Sequence, residues 1–147
     1  MPITYTNYFD DLLDDLRAFL RTEFSDVAIL KGDSAPVPNQ PTIILEPLDK
    51  QIDGEETTND KRMKFRVAIL CILLDANIEN AVIRLTDMTE HVEQLLHNNK
   101  KYPAASGATW LNSFVQNAEY GIREQGGHFL RVSRILWEGE QIVARAT

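Results

Sequence analysis

From Lys61 to Asp75 the chain reads KRMKFRVAILCILLD, and the first half of that stretch alternates. Met63, Phe65 and Val67 fall on one side, while Lys64, Arg66 and Ala68 fall on the other. That is the two-residue period of a strand with one wet face. From Ala68 to Leu74 the alternation gives way to an unbroken apolar run, which predicts cover on both faces. Lys64 and Arg66 break the three-and-four spacing a helix needs, so the stretch predicts one long central strand that leaves the protein edge and enters the core.

The other segments take their places around that strand. Asn7 to about Phe24 has Phe9, Leu12, Leu13, Leu16 and Leu20 on one helical stripe. Asp10, Asp11, Asp14 and Asp15 lie opposite near its start and Arg17 and Arg21 near its end, the order that complements a helix dipole, with Thr6 or Asn7 as the cap. Val27 to Leu30 is a short apolar piece that suits an edge strand. Gly32 to Pro41 is a proline-rich loop. Thr42 to Glu46 (TIILE) reads as a strand stopped by Pro47. Residues 48–60 then form an acidic loop between two strands. After the central strand, Asn77 caps a second helix to about His97, with Ile78, Val82, Leu85, Met88, Val92, Leu95 and Leu96 as its buried stripe. Trp110 to Tyr120 and His128 to Glu138 make a hairpin around Gly126 and Gly127. Gly139 marks a further bend, and Gln141 to Ala146 suits a short edge strand or a docking tail.

At 147 residues the chain predicts a single domain, 1–147, able to bury one core. The order of elements predicts an α+β fold: an antiparallel or mixed twisted sheet of about four to five strands, with two amphipathic helices packed largely on one face. No apolar run approaches the roughly 20 residues of a membrane helix. The amino terminus lacks the basic-then-apolar layout of a secretory signal, which points to a cytosolic origin. The single cysteine, Cys71, excludes an internal disulfide and suits a small buried hydrophobe better than a reactive thiol.

Charge is unevenly spread. Residues 1–60 carry 13 acidic and 4 basic side chains, whereas residues 61–147 carry 9 and 11. This balance, net -7 overall, argues against a nucleic-acid reader, whose phosphate contacts need a basic stripe. The paired aspartates of the first helix read as a solvated face, since a hard cation needs converging oxygens. The acidic loop lacks the glycine and glutamate positions of a calcium loop. His91 and His97 lie six apart and do not share a helix face as a zinc pair would.

Catalytic signatures are equally absent from the sequence. There is no phosphate-cradling glycine pattern and no nucleophile elbow, and His128 beside two glycines, with Arg123 and Glu124 near in sequence, reads as an ordinary turn-flanking histidine. The expectation is no catalytic residue, no cofactor and no metal. What remains is charge. Asp49, Asp53, Glu55, Glu56 and Asp60 of the acidic loop run directly into Lys61, Arg62, Lys64 and Arg66. The basic group suits a strand edge guarded against aggregation, or a band that pairs with the acidic loop of a neighbouring copy.

The pieces FDDLLDDLRAFLRTEF, TIILEP before the acidic loop, RMKFRVAILCILLDA ahead of the second helix, and HFLRVSRILWE near the end follow a recognisable order. In that order and at this length the chain resembles the tail terminator proteins of long-tailed bacteriophages, also described as tail completion or head–tail joining proteins. The resemblance spans essentially the whole chain. It implies a structural, non-enzymatic virion protein assembled in the host bacterial cytoplasm. It also implies a homo-hexameric ring that caps the tail tube protein, ends tube polymerisation and meets a head–tail connector or neck protein. DNA passes through the lumen without specific binding, and no membrane is involved. On that view the nine charged residues above are candidates for a ring, tube or lumen surface. Two alternatives stay open: another neck or head-completion protein, and a small cytosolic ligand-binding domain or enzyme with a pocket under the second helix near Tyr120 or His128.

Overall fold

A computed structural model describes residues 6–32, 41–53, 60–102 and 110–144. Its elements run α1 (Tyr8–Arg21), β1 (Ala28–Lys31), β2 (Thr42–Asp53), β3 (Asp60–Leu73), α2 (Ile78–His97), β4 (Ser113–Gln125) and β5 (His128–Ala144). The five strands form one sheet in the order β1-β2-β3-β5-β4, so the long apolar strand is indeed the central one. All neighbours are antiparallel except β1 and β2, which run parallel and make the sheet mixed. The fold is α+β, with both helices against the sheet.

Each helix begins where the sequence supplies a cap. Asn7 accepts a hydrogen bond from the Asp10 backbone N–H at 3.1 Å, and Asn77 accepts one from Asn80 at 2.9 Å. Asp75 braces the second start by accepting from the Asn77 N–H, the Asn80 side chain and Arg84. These donors hold its carboxyl below the ordinary carboxylate value, the Asn77 N–H foremost.

One apolar cluster fills the space between the helices and the sheet. Leu12, Leu16 and Leu20 of α1 and Leu85, Val92 and Leu96 of α2 meet Met63, Phe65, Val67, Ile69, Cys71 and Leu73, the odd-numbered residues of β3. An aromatic run joins the layers: Phe9 packs edge-on against Phe65, and Phe19, Trp110 and Trp137 follow at ring separations of 5.7 and 5.3 Å. A second, smaller cluster of Ile44, Leu70, Ile72 and Leu130 lies on the opposite face, as the apolar run predicts.

Several boundaries differ from those the sequence suggests. Pro47 does not stop β2, which continues to Asp53 through a bulge between Pro47 and Asp49. The reason is local: β1 pairs only with Thr42–Leu45, so beyond Leu45 β2 is an edge, where a missing N–H disrupts no ladder. The acidic segment is correspondingly shorter than a 48–60 loop. In the hairpin partner, the strand begins at Ser113, and Trp110 instead bridges Tyr102 and donates its indole N–H to the Asn99 carbonyl.

Gly139 is no bend. Strand β5 runs straight through it to Ala144, so residues 141–144 extend the strand beside β3 instead of forming a separate edge piece. The Trp137 indole lies across Gly139, where a Cβ would come within 2.3 Å of the ring. On α2, Ile78 and Val82 are exposed, and Ala81 and Thr89 are buried in their stead. The stripe is thus rotated from the one the sequence suggests, and it admits Thr89 because that hydroxyl finds partners in the packed layer.

Candidate functional site

Four of the charged residues singled out in the sequence, Asp49, Arg62, Lys64 and Arg66, come together on the face of the sheet opposite the helices. Alternation along β3 puts Arg62, Lys64 and Arg66 on that face, since Met63, Phe65 and Val67 take the other. Register then sets their neighbours. Asp49 of β2 stands directly across from Arg66, with their side chains 3.4 Å apart. Lys64 pairs in register with Gln51 on one side and Glu140 on the other. Arg62 reaches diagonally to Glu140 at 3.1 Å. The result is a band of alternating charge across three strands.

Strand β3 is central, so this basic group does not guard a sheet edge, and the expectation of an edge is corrected. Both of its arginines already have carboxylate partners within the same chain. Backbone register places Asp53 across from Arg62, Asp60 across from Ala144, and Lys61 across from Val143. Glu55 and Glu56 lie outside the described residues. The sequence reading missed Glu138 and Glu140, which complete the band from β5. The alternating pattern of that strand, followed past Glu138, would have found them.

The other concentration of polar groups is buried between α2 and the interior strands β3 and β5. Beneath α2, the Thr89 hydroxyl lies 2.6 Å from the Ser133 hydroxyl and 2.8 Å from the Leu85 carbonyl, to which it can donate. The Cys71 thiol sits beside both, and burial pushes it up to about 11, so it stays protonated and unreactive at neutral pH. Burial also raises Tyr120 and Glu93, Glu93 further by its neighbour Glu90. The hydroxyl pair and the thiol satisfy one another inside the packed layer.

Near the β4–β5 turn, a cleft of about 460 Å³ is lined by Asp75, Ile78, His128, Phe129 and Arg131 among others. Its carboxylate is already engaged by the start of α2, which leaves no base–nucleophile pair facing His128 among the described residues. Nor, among those residues, does any cluster of three or more metal-ligating side chains occur. His91 packs at a tilt against Phe24, with ring centroids 4.5 Å apart, and stands 3.6 Å from Glu23, tying α2 to the segment that follows α1.

The acidic face of α1 is more than a solvated surface. Lys31 of β1 donates to Asp10 at 2.8 Å and to Asp14 at 2.7 Å, clamping the helix to the edge strand, and Arg17 adds a contact to Asp14 at 3.2 Å. The Lys31 hydrogen bond, more than any other influence, holds the Asp14 carboxyl below its ordinary value, and the two aspartates raise Lys31 in return. The chain matches no protein-family model and no curated protein sequence.

Proposed function

We propose that the chain is a structural protein of a bacteriophage virion, a tail terminator that caps the tail tube as a ring of six copies. The ring ends tube polymerisation, offers its outer surface to a neck protein and lets DNA pass through its hole. The observation that supports this most is the band of Asp49, Arg62, Lys64, Arg66 and Glu140. Its three basic members stand on β3, the middle strand, where backbone pairing on both sides fixes side-chain positions. A fixed array of alternating charge suits register with a repeating partner better than it suits chemistry on a small molecule.

Two further features agree with the reading. A closed ring uses heterologous contacts around a rotation axis, and a sheet with two different edges presents two different surfaces for that purpose. Six copies at -7 each make a strongly negative annulus, which favours passage of DNA over its retention.

The test is electron microscopy of the purified protein mixed with phage tail tubes. The expected result is a six-fold ring on one end of each tube. Tube ends that stay bare would overturn the assignment. Reversing Asp49 to lysine tests the charged band itself: the fold should persist while capping is lost.

A further inference from the structure

The outer edge of the sheet is β4, thirteen residues with neither lysine nor proline to discourage pairing. Its bulge lies early, between Val115 and Asn117, and from Asn117 to Gln125 the strand is regular. The two-residue turn at Gly126 and Gly127, with φ of 58° and 80°, makes Gln125 and His128 the first hydrogen-bonded pair. Strict alternation then turns the backbone groups of Ala118, Tyr120, Ile122 and Glu124 outward, away from β5.

The side chains along this edge are unusual for a solvated strand. Tyr120 is 50% exposed and Ile122 59% exposed. With Val82 of α2 they line a cleft of about 330 Å³ between helix and edge. Between them stands Gly121. Its φ is not positive and a Cβ there would meet nothing within 4 Å, so nothing among the described residues calls for glycine. A glycine in a regular strand interior weakens the strand and often marks close approach of another backbone.

We propose that β4 pairs antiparallel with β4 of a second copy, about a two-fold axis through Gly121. In this register Tyr120 of each copy faces Ile122 of the other on the helix side, and the outward backbone groups of those residues meet as a hydrogen-bonded pair. On the opposite face Glu119 of each copy faces Arg123 of the other, giving two opposite-charge pairs. Arg123, which also has a contact within its own chain, sits at the non-hydrogen-bonded spacing, where side chains come closest. The two Gly121 residues face each other at that same close spacing.

Neighbouring registers lose the match. Centring on Tyr120 sets Glu119 against Gly121 and Arg123 against Asn117. Centring on Ile122 sets Tyr120 against Glu124. The self-complementary arrangement is the one that uses the charges, the apolar pair and the glycine together. An isologous contact closes at two copies, so it describes the free chain and stands apart from the six-fold ring, whose own test is made on tube ends.

Sedimentation equilibrium of the full chain tests the pairing. The expected result is a dimer that forms with rising concentration. Glu119→Arg alone and Arg123→Glu alone each set like charges against each other twice, and each should weaken the dimer roughly tenfold or more. Mixing the two variants should restore a one-to-one pair. One copy then carries arginine at both positions and the other glutamate at both, so opposite charges meet at each contact. The double exchange in one chain should likewise restore the homodimer. Far-UV circular dichroism confirms that each variant folds. A wild-type chain that stays monomeric, single variants that dimerise as well as wild type, or a mixture that fails to pair would each overturn the proposal.

Discussion

The two faces of the sheet are made by the same strands yet perform differently, and β3 shows why. Its odd-numbered residues are apolar from Met63 to Leu73, and all are buried under the helices. Its even-numbered residues change character halfway: Arg62, Lys64 and Arg66 are charged, whereas Ala68, Leu70 and Ile72 are apolar and buried. The helix face is therefore uniform, one packed layer along the whole strand. The other face is divided, with an apolar half that stabilises and a charged half that forms ion pairs between strands. One strand thus encodes both a core and a surface by holding one parity constant and switching the other.

Adjacent residues give the largest effect and the most direct way to break this contrast. Phe65→Ala removes a fully buried ring that packs against Phe9, and should cost about 3–5 kcal/mol. Arg66→Ala, one residue on, removes a partly exposed ion pair with Asp49 and should cost about 0–1 kcal/mol. Urea unfolding measures both. A comparable loss at the two positions would show that the charged half is part of the stabilising structure, contrary to the division drawn above.

Two glycines extend the comparison to β5 and β4. Gly139→Ala forces a methyl group into the Trp137 indole, which is itself fully buried and has little room to yield. The expected cost is about 1–3 kcal/mol. Gly121→Ala meets open space and should leave the stability of the single chain within about 0.5 kcal/mol. Thermal melts at low protein concentration separate the two. A neutral Gly139→Ala would mean that the indole can leave its place without loss.

The buried hydroxyl pair sharpens the account of the helix face, because it is a polar contact set inside that apolar layer and links α2 to β5. Thr89→Val takes away the closest partner of the Ser133 hydroxyl, leaves it only the weak Cys71 thiol, and should cost about 1–3 kcal/mol. Adding Ser133→Ala should cost less than the separate effects combined, since the weakly satisfied hydroxyl is then gone. A double-mutant cycle reads the coupling directly. Strict additivity would mean that the 2.6 Å contact contributes nothing.

Much of this division was legible in the sequence, and the parts that were not share a cause. The central strand, the two capped helices, the hairpin glycines and the α+β class follow from periodicity and from cap and turn residues, which are local signals. Pro47, Gly139 and the stripe of α2 were misjudged because their roles depend on neighbours distant in sequence or on packing. Pro47 is tolerated because β1 is short. Gly139 is needed because of the Trp137 ring, and Thr89 is buried because Ser133 meets it. The charged band was visible in part: Arg62, Lys64, Arg66 and Asp49 stand out by charge, but their convergence with Glu140 is a matter of register between strands far apart in the chain.

The smallest expected effect concerns the edge opposite β4, where Lys31 joins β1 to Asp10 and Asp14 of α1. Asp14 has a folded-state pKa below its ordinary value, so near pH 4 the folded chain binds fewer protons there than the unfolded chain does. Its contribution is present above the ordinary carboxylate value and is lost as pH falls through the lowered one. Lys31 is shifted up, so its contribution is complete below the ordinary lysine value and is lost as pH rises through the raised one. Asp14→Asn should therefore make the acid limb of a melting-temperature profile shallower without abolishing it, because Asp75 is also depressed and still titrates. Lys31→Met should flatten part of the acid limb and, in addition, the alkaline one. If Lys31→Met alters neither limb while Asp14→Asn alters the acid limb, the carboxylate is held down by Arg17 and not by the strand, and the clamp between α1 and β1 does not operate in solution.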